Sequence, residues 1–387
     1  MDFTYPPEAE AFRAEFRAWL DEHLTDRFAG LHNFLSHPDA ETLDRMHEWN
    51  SMLADAGYAA IAWPPEYGGR GAGILEQVVW AEEMSRAEAP PTLNPIGISN
   101  IAPAILEYGT EEQKRHFLPR MLAGDDVWCQ GFSEPDAGSD LAGLKATAVR
   151  DGDHYVVNGQ KVWNTLGNLA TWCELLVRTD PDAPRHRGIS CLLVDMTLPG
   201  VEVRPLVTIT GEREFNEIFF TDVHVPVDCL LGPEHEGWRV AMTTLTHERG
   251  GVASLHLSLR KRIAKLIDTA RVTPVGDGTA LDDPAIRRRL AHLYLGGEYL
   301  KLLADRAISG AIHGRPAGPE SSLVKLVWSE VSQELAAAAG DVLGPDANEG
   351  DWGRDRVYVR ALSIAGGTTQ VNKNIIAERI LGLPKGT

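Results

Sequence analysis

Cysteine is scarce in this 387-residue chain, and the four cysteines are scattered without a C-x-x-C pair or a histidine partner at metal-site spacing. They are Cys129, Cys173, Cys191 and Cys229. This pattern predicts reduced thiols in the core and no metal site. Positive charge is also scarce, since 37 Lys and Arg stand against 55 Asp and Glu, giving a net charge of −18. The balance argues against nucleic-acid binding, which needs a basic face.

Long apolar runs are absent as well. No run approaches the roughly 20 apolar residues that span a bilayer. The first stretch, MDFTYPPEAEAFRAEFRAWL, is acidic and amphipathic and does not have the apolar segment of a secretory signal. No strand pattern is followed by G-x-G-x-x-G, which excludes a Rossmann unit. With 43% hydrophobic and 24% charged residues, we expect a soluble cytoplasmic protein of two or three domains, without a membrane segment.

The spacing of apolar residues divides the chain into three blocks. Residues 1–124 carry the three- and four-residue spacing of helices, the last of which is expected to begin after an N-cap at Thr110 and end at Gly124. Residues 125–233 contain short β-rich runs between turn sequences, which predict a small β-barrel or sandwich. Residues 234–387 return to helical spacing and predict a bundle, with one long helix across 237–270.

Two stretches carry the clearest chemical signal, GFSEPDAGSDLAG at 131–143 and KVWNTLG at 161–167. In the first, small residues leave backbone N–H groups open to an anionic or polar ligand, and serines add hydroxyls. In the second, Trp163 and Thr165 follow a strand pattern, so the two-residue alternation predicts that the indole and the hydroxyl share one face. Such a surface suits a flat, hydrogen-bonding ring system such as a flavin.

These stretches, with EFNEIFFTDVHVP at 214–226 and AGGTTQVNKNIIAERILGLP at 365–384, closely resemble the acyl-CoA dehydrogenase family. The resemblance covers essentially the whole chain, and GFSEPDAGSD is a long and specific motif. It implies an α+β multidomain fold with an N-terminal helical domain, a middle β-barrel or sandwich domain and a C-terminal four-helix-bundle-like domain. It also implies FAD as cofactor and α,β-dehydrogenation of an acyl-CoA thioester, in which a base takes the α proton and a hydride leaves the β carbon for flavin N5.

The position of the base follows from a departure from the family pattern. Many members carry it in a Tyr-Glu-Gly-Thr segment, where this chain has AGGT at 365–368. Others place the glutamate directly before an arginine in the first long helix of the C-terminal domain, which reads THER at 246–249. The resemblance therefore makes Glu248 the base and places Arg249 at the substrate. Gly366 would leave room for the carboxylate and offer its N–H to the thioester carbonyl. The plainer alternative is a charged pair on a solvated helix face.

The resemblance also assigns the cofactor contacts. In the first stretch and directly before it, they are Gln130, Phe132, Ser133, Gly138 and Ser139, of which Ser139 also meets the CoA arm. Trp163 is expected to pack on the flavin ring, with the Thr165 hydroxyl near N5. Thr368 and Gln370 match the C-terminal FAD contacts, although this region is also a helix N-cap.

Two segments that build the family's shared FAD site between subunits are altered. The Arg-x-x-Phe-Gly segment reads RVTPV at 271–275, which keeps only Arg271. The Gln-x-x-Gly-Gly segment reads DVLGP at 341–345, which keeps Gly344. Either the sequence has drifted around the adenosine half of FAD, or the assembly is unequal, as in branches that pair a catalytic chain with a non-catalytic one. Steroid-degrading members use such pairs.

Three functions compete. The first is a dehydrogenase that passes electrons to an electron-transfer flavoprotein. The second is an oxidase or monooxygenase on the same scaffold, and Glu248 counts against the monooxygenase because that reaction needs no α-proton base. The third is a non-catalytic partner subunit, which a missing flavin loop or base would mark. We favour the first, in a homotetramer or a hetero-oligomer with a related subunit.

Overall fold

The computed structural model describes residues 4–31, 34, 39–250, 254–314 and 318–385, and of Arg249 and Gly250 it describes only the backbone. The chain divides into two compact units. The first comprises the residues up to Gln77 together with Arg86–Glu248, and the second comprises Val78–Ser85 together with the residues from Arg249 onward.

The N-terminal block is helical, as its apolar spacing predicts. Its helices are α1 (Pro7–His23), α2 (Ala40–Asp55), α3 (Ile74–Ala87), α4 (Ala102–Tyr108) and α5 (Glu111–Ala123). The predicted ends of α5 are confirmed. The Thr110 side chain accepts from the Gln113 N–H, and Gly124 ends the helix in the left-handed conformation with φ +83°. Glycine adopts this conformation without the steric penalty of a Cβ atom.

The middle block forms an eight-stranded sheet. Its strands are β1 (Trp128–Gly131), β2 (Thr147–Asp151), β3 (His154–Val162), β4 (Trp172–Arg178), β5 (Ile189–Asp195), β6 (Val201–Leu206), β7 (Phe215–Pro226) and β8 (Leu230–Leu231). The order is β6-β7-β3-β2-β4-β5-β8, and β1 pairs in parallel with β4. Cys173, Leu175 and Val177 of β4 belong to the core on one side of the sheet. Glu174 and Leu176 alternate with them and are also fully buried, so β4 is covered on both faces.

The C-terminal block is helical again. Its elements are α6 (Gly237–Gly250), α7 (Leu255–Val272), the hairpin strands β9 (Pro274–Val275) and β10 (Gly278–Thr279), α8 (Pro284–Ile312), α9 (Glu320–Leu343), α10 (Gly350–Tyr358) and α11 (Thr369–Ile375). In the second unit, α7, α8 and α9 share one apolar core, which includes Leu266, Leu293 and Leu335. The prediction of one helix across 237–270 falls partly on residues 251–253, which lie outside the described residues.

The fold class is confirmed, with helical N- and C-terminal parts and a middle sheet domain. The four cysteines are free thiols, and Cys229 is the only one of them that is not fully buried. Across the described ranges, we find no helix with both the length and the apolar character needed to cross a bilayer.

Candidate active site

The glycine-rich stretch begins where β1 ends, at Gly131. A Cβ atom at Gly131 would lie 2.7 Å from Leu175 Cδ1, so a larger residue at this position would displace the Leu175 side chain of β4. The chain then makes a tight turn in which the N–H groups of Glu134 and Ala137 each donate to the other residue's carbonyl at 3.0 Å. Gly138 is exposed, and a Cβ there would meet nothing within 4 Å. Together with the exposed Ser139, it leaves the outer backbone of the loop open.

A buried ion pair fixes the inner side of this loop. Glu134 is 7% exposed and accepts from the backbone N–H groups of Lys145 (2.7 Å) and Ala146 (2.9 Å). Its third donor is the fully buried Lys161 ammonium of β3, at 2.9 Å, which also donates to the carbonyl of the buried Phe132 at 3.1 Å. Burial lowers the pKa of Lys161, and the neighbouring Glu134 carboxylate opposes that shift. The pair therefore fixes the loop against β3.

The strand pattern does not extend to Trp163 and Thr165, because β3 ends at Val162 and Trp163 has a left-handed backbone with φ +64°, so a shared face for the two side chains stays a prediction. This conformation is strained for a bulky residue, and such strain is concentrated at functional sites. Trp163 is 61% exposed, and its ring lies in a T-shaped arrangement with the Phe215 ring, at 5.8 Å between centroids. The turn thus presents a large flat ring to a ligand.

Hydrogen bonds of Asn164 fix the turn that presents Trp163. Its side-chain amide donates to the Gln130 carbonyl at 2.5 Å, and its backbone N–H donates to the Asn216 carbonyl at 3.1 Å. The Asn216 amide donates back to the Asn164 carbonyl at 2.9 Å. These bonds connect the turn to β1 on one side and to β7 on the other. Thr165, which is half-buried, follows Asn164 in the chain.

Gln130 carries a buried donor without a protein acceptor. Its Nε2 atom is inaccessible to solvent and has no hydrogen-bond partner among the residues that the structure describes. Leaving a buried donor unpaired is unfavourable by about 1–3 kcal/mol. Because the atom is inaccessible, the predicted cofactor contact of Gln130 does not use it in this conformation.

These features fit a flavin. The Val162 N–H donates to the Ser133 carbonyl at 2.9 Å, so the loop and the Trp163 turn are joined directly. The joined segments offer an open indole and the half-buried residues Ser133 and Thr165, whose hydroxyls can hydrogen-bond. An apolar flat surface bordered by polar groups is what an isoalloxazine ring needs.

Glu248 lies near the end of α6 and is half-buried. The backbone of Arg249 continues the helix, but its side chain lies outside the described residues, so the predicted substrate contact stays a prediction. The Thr243 hydroxyl of α6 donates to the Glu107 carboxylate of α4 at 3.2 Å. Desolvation lowers the pKa of His247, with Glu107 opposing the shift, which favours a neutral imidazole beside Glu248.

Gly366, which is exposed, and Gly367, which is half-buried, form a turn before α11, with φ +62° and +94°. The Lys325 ammonium of α9 donates to the carbonyls of Leu362 (2.6 Å) and Gly367 (3.0 Å). The Asn372 side chain donates to the same Gly367 carbonyl at 2.8 Å. Burial lowers the pKa of Lys325. Two side chains that sequence reasoning missed thus fix the turn that contains Gly366.

The N-cap role considered for Thr368 is confirmed, because its hydroxyl accepts from the Val371 N–H at 3.2 Å at the start of α11. A cap of this kind leaves the residue free to contact a ligand as well. Gln370, in the first turn of the same helix, is exposed.

The two altered segments lie at helix ends of the second unit. Arg271 is in the last turn of α7, where its guanidinium pairs with Asp268. Gly344 ends α9 with φ +57°, and a Cβ there would meet nothing within 4 Å. Asp341, at the position of the family's glutamine, pairs with Arg289 of α8. Arg271 and Asp341 therefore each form an ion pair with a residue of the same chain.

The predicted residues are divided between the two units. The first unit contains the loop, the Trp163 turn and Glu248, and the second contains Arg271, Gly344 and the 366–370 segment. Sequence reasoning missed the supporting side chains Lys161, Asn164, Asn216, Lys325 and Asn372. A lysine inside a strand-like run was the available signal for Lys161. In the described parts of the chain, no three His, Cys, Asp or Glu side chains are arranged to bind a metal.

Comparison with known proteins assigns the family. The family model described as "Acyl-CoA dehydrogenase, N-terminal domain" matches residues 6–125. The models of the middle and C-terminal domains of the same family match residues 129–223 and 235–381. Acyl-CoA dehydrogenase IpdE1 of Mycobacterium tuberculosis is 41% identical over 388 residues, which cover 98% of each chain.

Two solved structures cover the whole chain and are themselves covered completely. The ChsE4-ChsE5 complex from Mycobacterium tuberculosis has a TM-score of 0.86 at 34% identity. A structure described as "Tcur3481-Tcur3483 steroid ACAD" has a TM-score of 0.87 at 30% identity. The chain belongs to the acyl-CoA dehydrogenase family, and it is a flavoprotein oxidoreductase that acts on acyl-CoA with FAD as its cofactor.

Proposed function

We propose that this protein is a dehydrogenase that converts an acyl-CoA thioester to the 2-enoyl-CoA, with Glu248 as the base that takes the α proton. The observation that carries the assignment is that a glycine stands at one of the family's two positions for the base and a glutamate stands at the other. The chain has Gly366 where many members carry the base, and it has a half-buried glutamate directly before an arginine on α6. A partly buried carboxylate is suited to act as a base near neutral pH.

Each proposed residue has one role. The Glu248 carboxylate accepts the proton from the α carbon. The Gly366 N–H donates to the thioester carbonyl, where negative charge develops as the α proton leaves. Trp163, Ser133, Thr165 and Gln130 bind and orient the cofactor, and Ser139 meets the CoA arm. FAD, when bound, supplies the acceptor for the hydride that leaves the β carbon.

We propose a bulky, steroid-type acyl group as the substrate and a hetero-oligomer as the assembly. Support for the substrate comes from the likeness to the structure described as a steroid ACAD. Support for the assembly comes from the likeness to the ChsE4-ChsE5 complex and from the altered segments at Arg271 and Gly344. A partner chain of the same family would supply the adenosine contacts that these segments do not provide. An electron-transfer flavoprotein is the proposed electron acceptor.

The test is anaerobic bleaching of the flavin by a panel of straight-chain, branched and steroid acyl-CoAs. We expect the wild type to bleach and Glu248→Gln to keep its flavin but lose bleaching by about a hundredfold or more. Glu236→Gln is the matched control, since it changes an exposed carboxylate at the start of the same helix, roughly 18 Å along the axis. Bleaching of Glu248→Gln at the wild-type rate would show that Glu248 is not the base.

The same reduced enzyme separates the dehydrogenase from the oxidase. Reoxidation is followed after mixing with air-saturated buffer or with an oxidised electron-transfer flavoprotein. The proposal expects fast reoxidation by the flavoprotein and slow reoxidation by oxygen. The opposite order would favour the oxidase.

A further inference from the structure

Glu174 of β4 is a buried carboxyl residue that the proposed mechanism does not use. Its side chain lies on the face of β4 opposite to the core that contains Cys173, Leu175 and Val177. Glu174 has no exposed surface. Its Oε1 atom accepts from the Thr244 hydroxyl of α6 at 2.7 Å and from the Cys191 thiol of β5 at 3.8 Å. Its Oε2 atom is buried and has no hydrogen-bond partner among the described residues. A fully buried carboxyl with one unpaired oxygen is energetically unfavourable, so its presence in the core calls for an explanation.

The flavin segment lies directly beside this carboxyl. Gln130 of β1 and Glu174 of β4 are register partners in the parallel strand pair, so their side chains emerge on the same face of the sheet as neighbours. Both carry a buried polar atom that lacks a partner, Nε2 in Gln130 and Oε2 in Glu174. No hydrogen bond joins these two side chains among the described residues, so the connection between them is the backbone pairing of β1 with β4.

The other end of the network lies on the helix that carries the proposed base. Thr244 precedes Glu248 by four residues, one helical turn, so the two residues lie on the same side of α6 about 6 Å apart along the axis. The hydrogen bond from Thr244 to Glu174 therefore fixes the position of that turn relative to β4.

We propose that Glu174 is a positioning residue whose buried carboxyl joins β4, the strand that pairs with Gln130 of the flavin segment, to Thr244 on α6, and thereby sets the position of Glu248. The inference rests on the proposed function, because Glu248 matters here as the base. Glu174 does not touch the reacting atoms. It acts through its hydrogen bond with Thr244.

The carboxyl performs this role in its protonated form. Burial raises the pKa of Glu174 to about 8, so at neutral pH the group is uncharged and can donate one hydrogen bond while it accepts others. The titratable groups around it are the thiols of Cys173 in β4 and Cys191 in β5, and burial raises the pKa of both. The charge of Lys161 lowers the pKa of Cys173 and so opposes the effect of burial. The residues that face Glu174 from β1 and α6 are Gln130 and Thr244, which are uncharged. Glu174 is thus the group of this cluster that ionises as the pH rises through about 8.

The first test measures the position of α6 without any acyl-CoA. Amide hydrogen exchange of 237–248 is compared in the FAD-loaded wild type, Glu174→Leu, Glu174→Gln and Thr244→Val. We expect Glu174→Leu and Thr244→Val to lower the protection of this helix by about tenfold. Glu174→Gln, which keeps an uncharged donor and acceptor, should retain it. Thr246→Val is the matched control, because the Thr246 hydroxyl donates to the Met242 carbonyl of its own helix at 2.7 Å.

The second test separates this inference from the proposed function. This test uses an acyl-CoA that bleaches the wild type. Glu174→Leu should keep its flavin and its apparent substrate affinity, but its rate of flavin reduction should be at least about tenfold lower. The wild-type rate should fall above pH 8, while Glu174→Gln should keep its rate there. A wild type that no acyl-CoA bleaches would contradict the proposed function alone, since the exchange experiment still tests the link. Unchanged α6 protection in both Glu174→Leu and Thr244→Val would overturn the inference.

Discussion

The Lys161 ammonium is fully buried and lies 2.9 Å from the Glu134 carboxylate. The two residues are 27 positions apart in the chain, one in the loop after β1 and the other in β3. Because Glu134 also accepts two backbone N–H groups, this single side chain determines the path of the loop on its inner side. The outer side, at Gly138 and Ser139, is thereby kept in one conformation that can meet a cofactor.

Replacing Lys161 by Met should therefore weaken both the fold and cofactor binding. Removing one partner of a buried ion pair leaves an unpaired charge, which lowers the free energy of unfolding by about 3–5 kcal/mol. We expect the FAD affinity to fall along with it, because the loop is no longer fixed. Urea unfolding and FAD titration of the apoprotein measure the two effects.

Lys145→Met is the matched control for this change. The Lys145 side chain pairs with Asp136 at 3.3 Å on the surface, while its backbone N–H keeps its bond to Glu134. Exposed pairs contribute little, so stability and FAD affinity should be close to those of the wild type. If Lys161→Met binds FAD as tightly as this control, the buried pair does not shape the cofactor loop.

Trp163 should show a separation between stability and binding. Its left-handed backbone is unfavourable for any residue with a Cβ atom but not for glycine. We expect the Trp163→Gly apoprotein to be more stable than Trp163→Ala by about 1 kcal/mol. Both variants should bind FAD more weakly than the wild type, because both lack the exposed ring. Urea unfolding of the two apoproteins, followed by FAD titration, tests the ranking, and a more stable alanine variant would contradict it.

Much of this fold could be predicted from local patterns. The helices with regular apolar spacing and the N-cap at Thr110 are all present, because each depends on residues close together in the chain. The strand β1 was missed, since WCQG is only four residues long and is stabilised by parallel pairing with the distant β4. The apolar spacing does not mark α10 (GDWGRDRVY) as a separate helix of the predicted bundle, because the segment has few apolar residues and two glycines.

The site divides in the same way. The motif residues in the 131–143 loop and the Trp163 turn could be found from sequence because they form uninterrupted motifs. Their geometry could not, since the Trp163 turn depends on hydrogen bonds from Asn164 to Asn216, 52 residues away. Glu174 illustrates the same limit. A single glutamate in a strand-like run does not reveal that it is fully buried or that it meets Thr244, 70 residues later.

Glu174 should also make the stability of the protein depend on pH. Its pKa is about 8 when folded against about 4.5 when unfolded, so the folded state binds the extra proton between these values. Its contribution is complete below about pH 4.5 and is lost as the pH rises through about 8. Over this window we expect the wild type to lose a few kcal/mol of unfolding free energy that Glu174→Gln does not lose. Urea unfolding at several pH values measures the difference, and parallel curves for the two proteins would exclude a raised pKa at Glu174.

Lys325 should control the glycine turn of the second unit. Replacing it by Met removes the donor to the Leu362 and Gly367 carbonyls, and Asn372 can still serve only the second of them. The Leu362 carbonyl is only partly buried, so its loss of a donor should lower the free energy of unfolding by about 1 kcal/mol. Hydrogen exchange in 362–370 should rise, and FAD should bind more weakly, because the turn leads into Thr368 and Gln370.

Lys373→Met is the control for this last change. The Lys373 side chain is exposed and lies 3.7 Å from the Glu330 carboxylate, so its loss should leave both exchange and FAD binding near the wild-type values. A rise in exchange for Lys325→Met with unchanged FAD affinity would mean that the turn is fixed for the fold alone. A loss of FAD affinity in both variants would point instead to the positive charge of this region, because the two substitutions remove the same charge and only Lys325 contacts the turn.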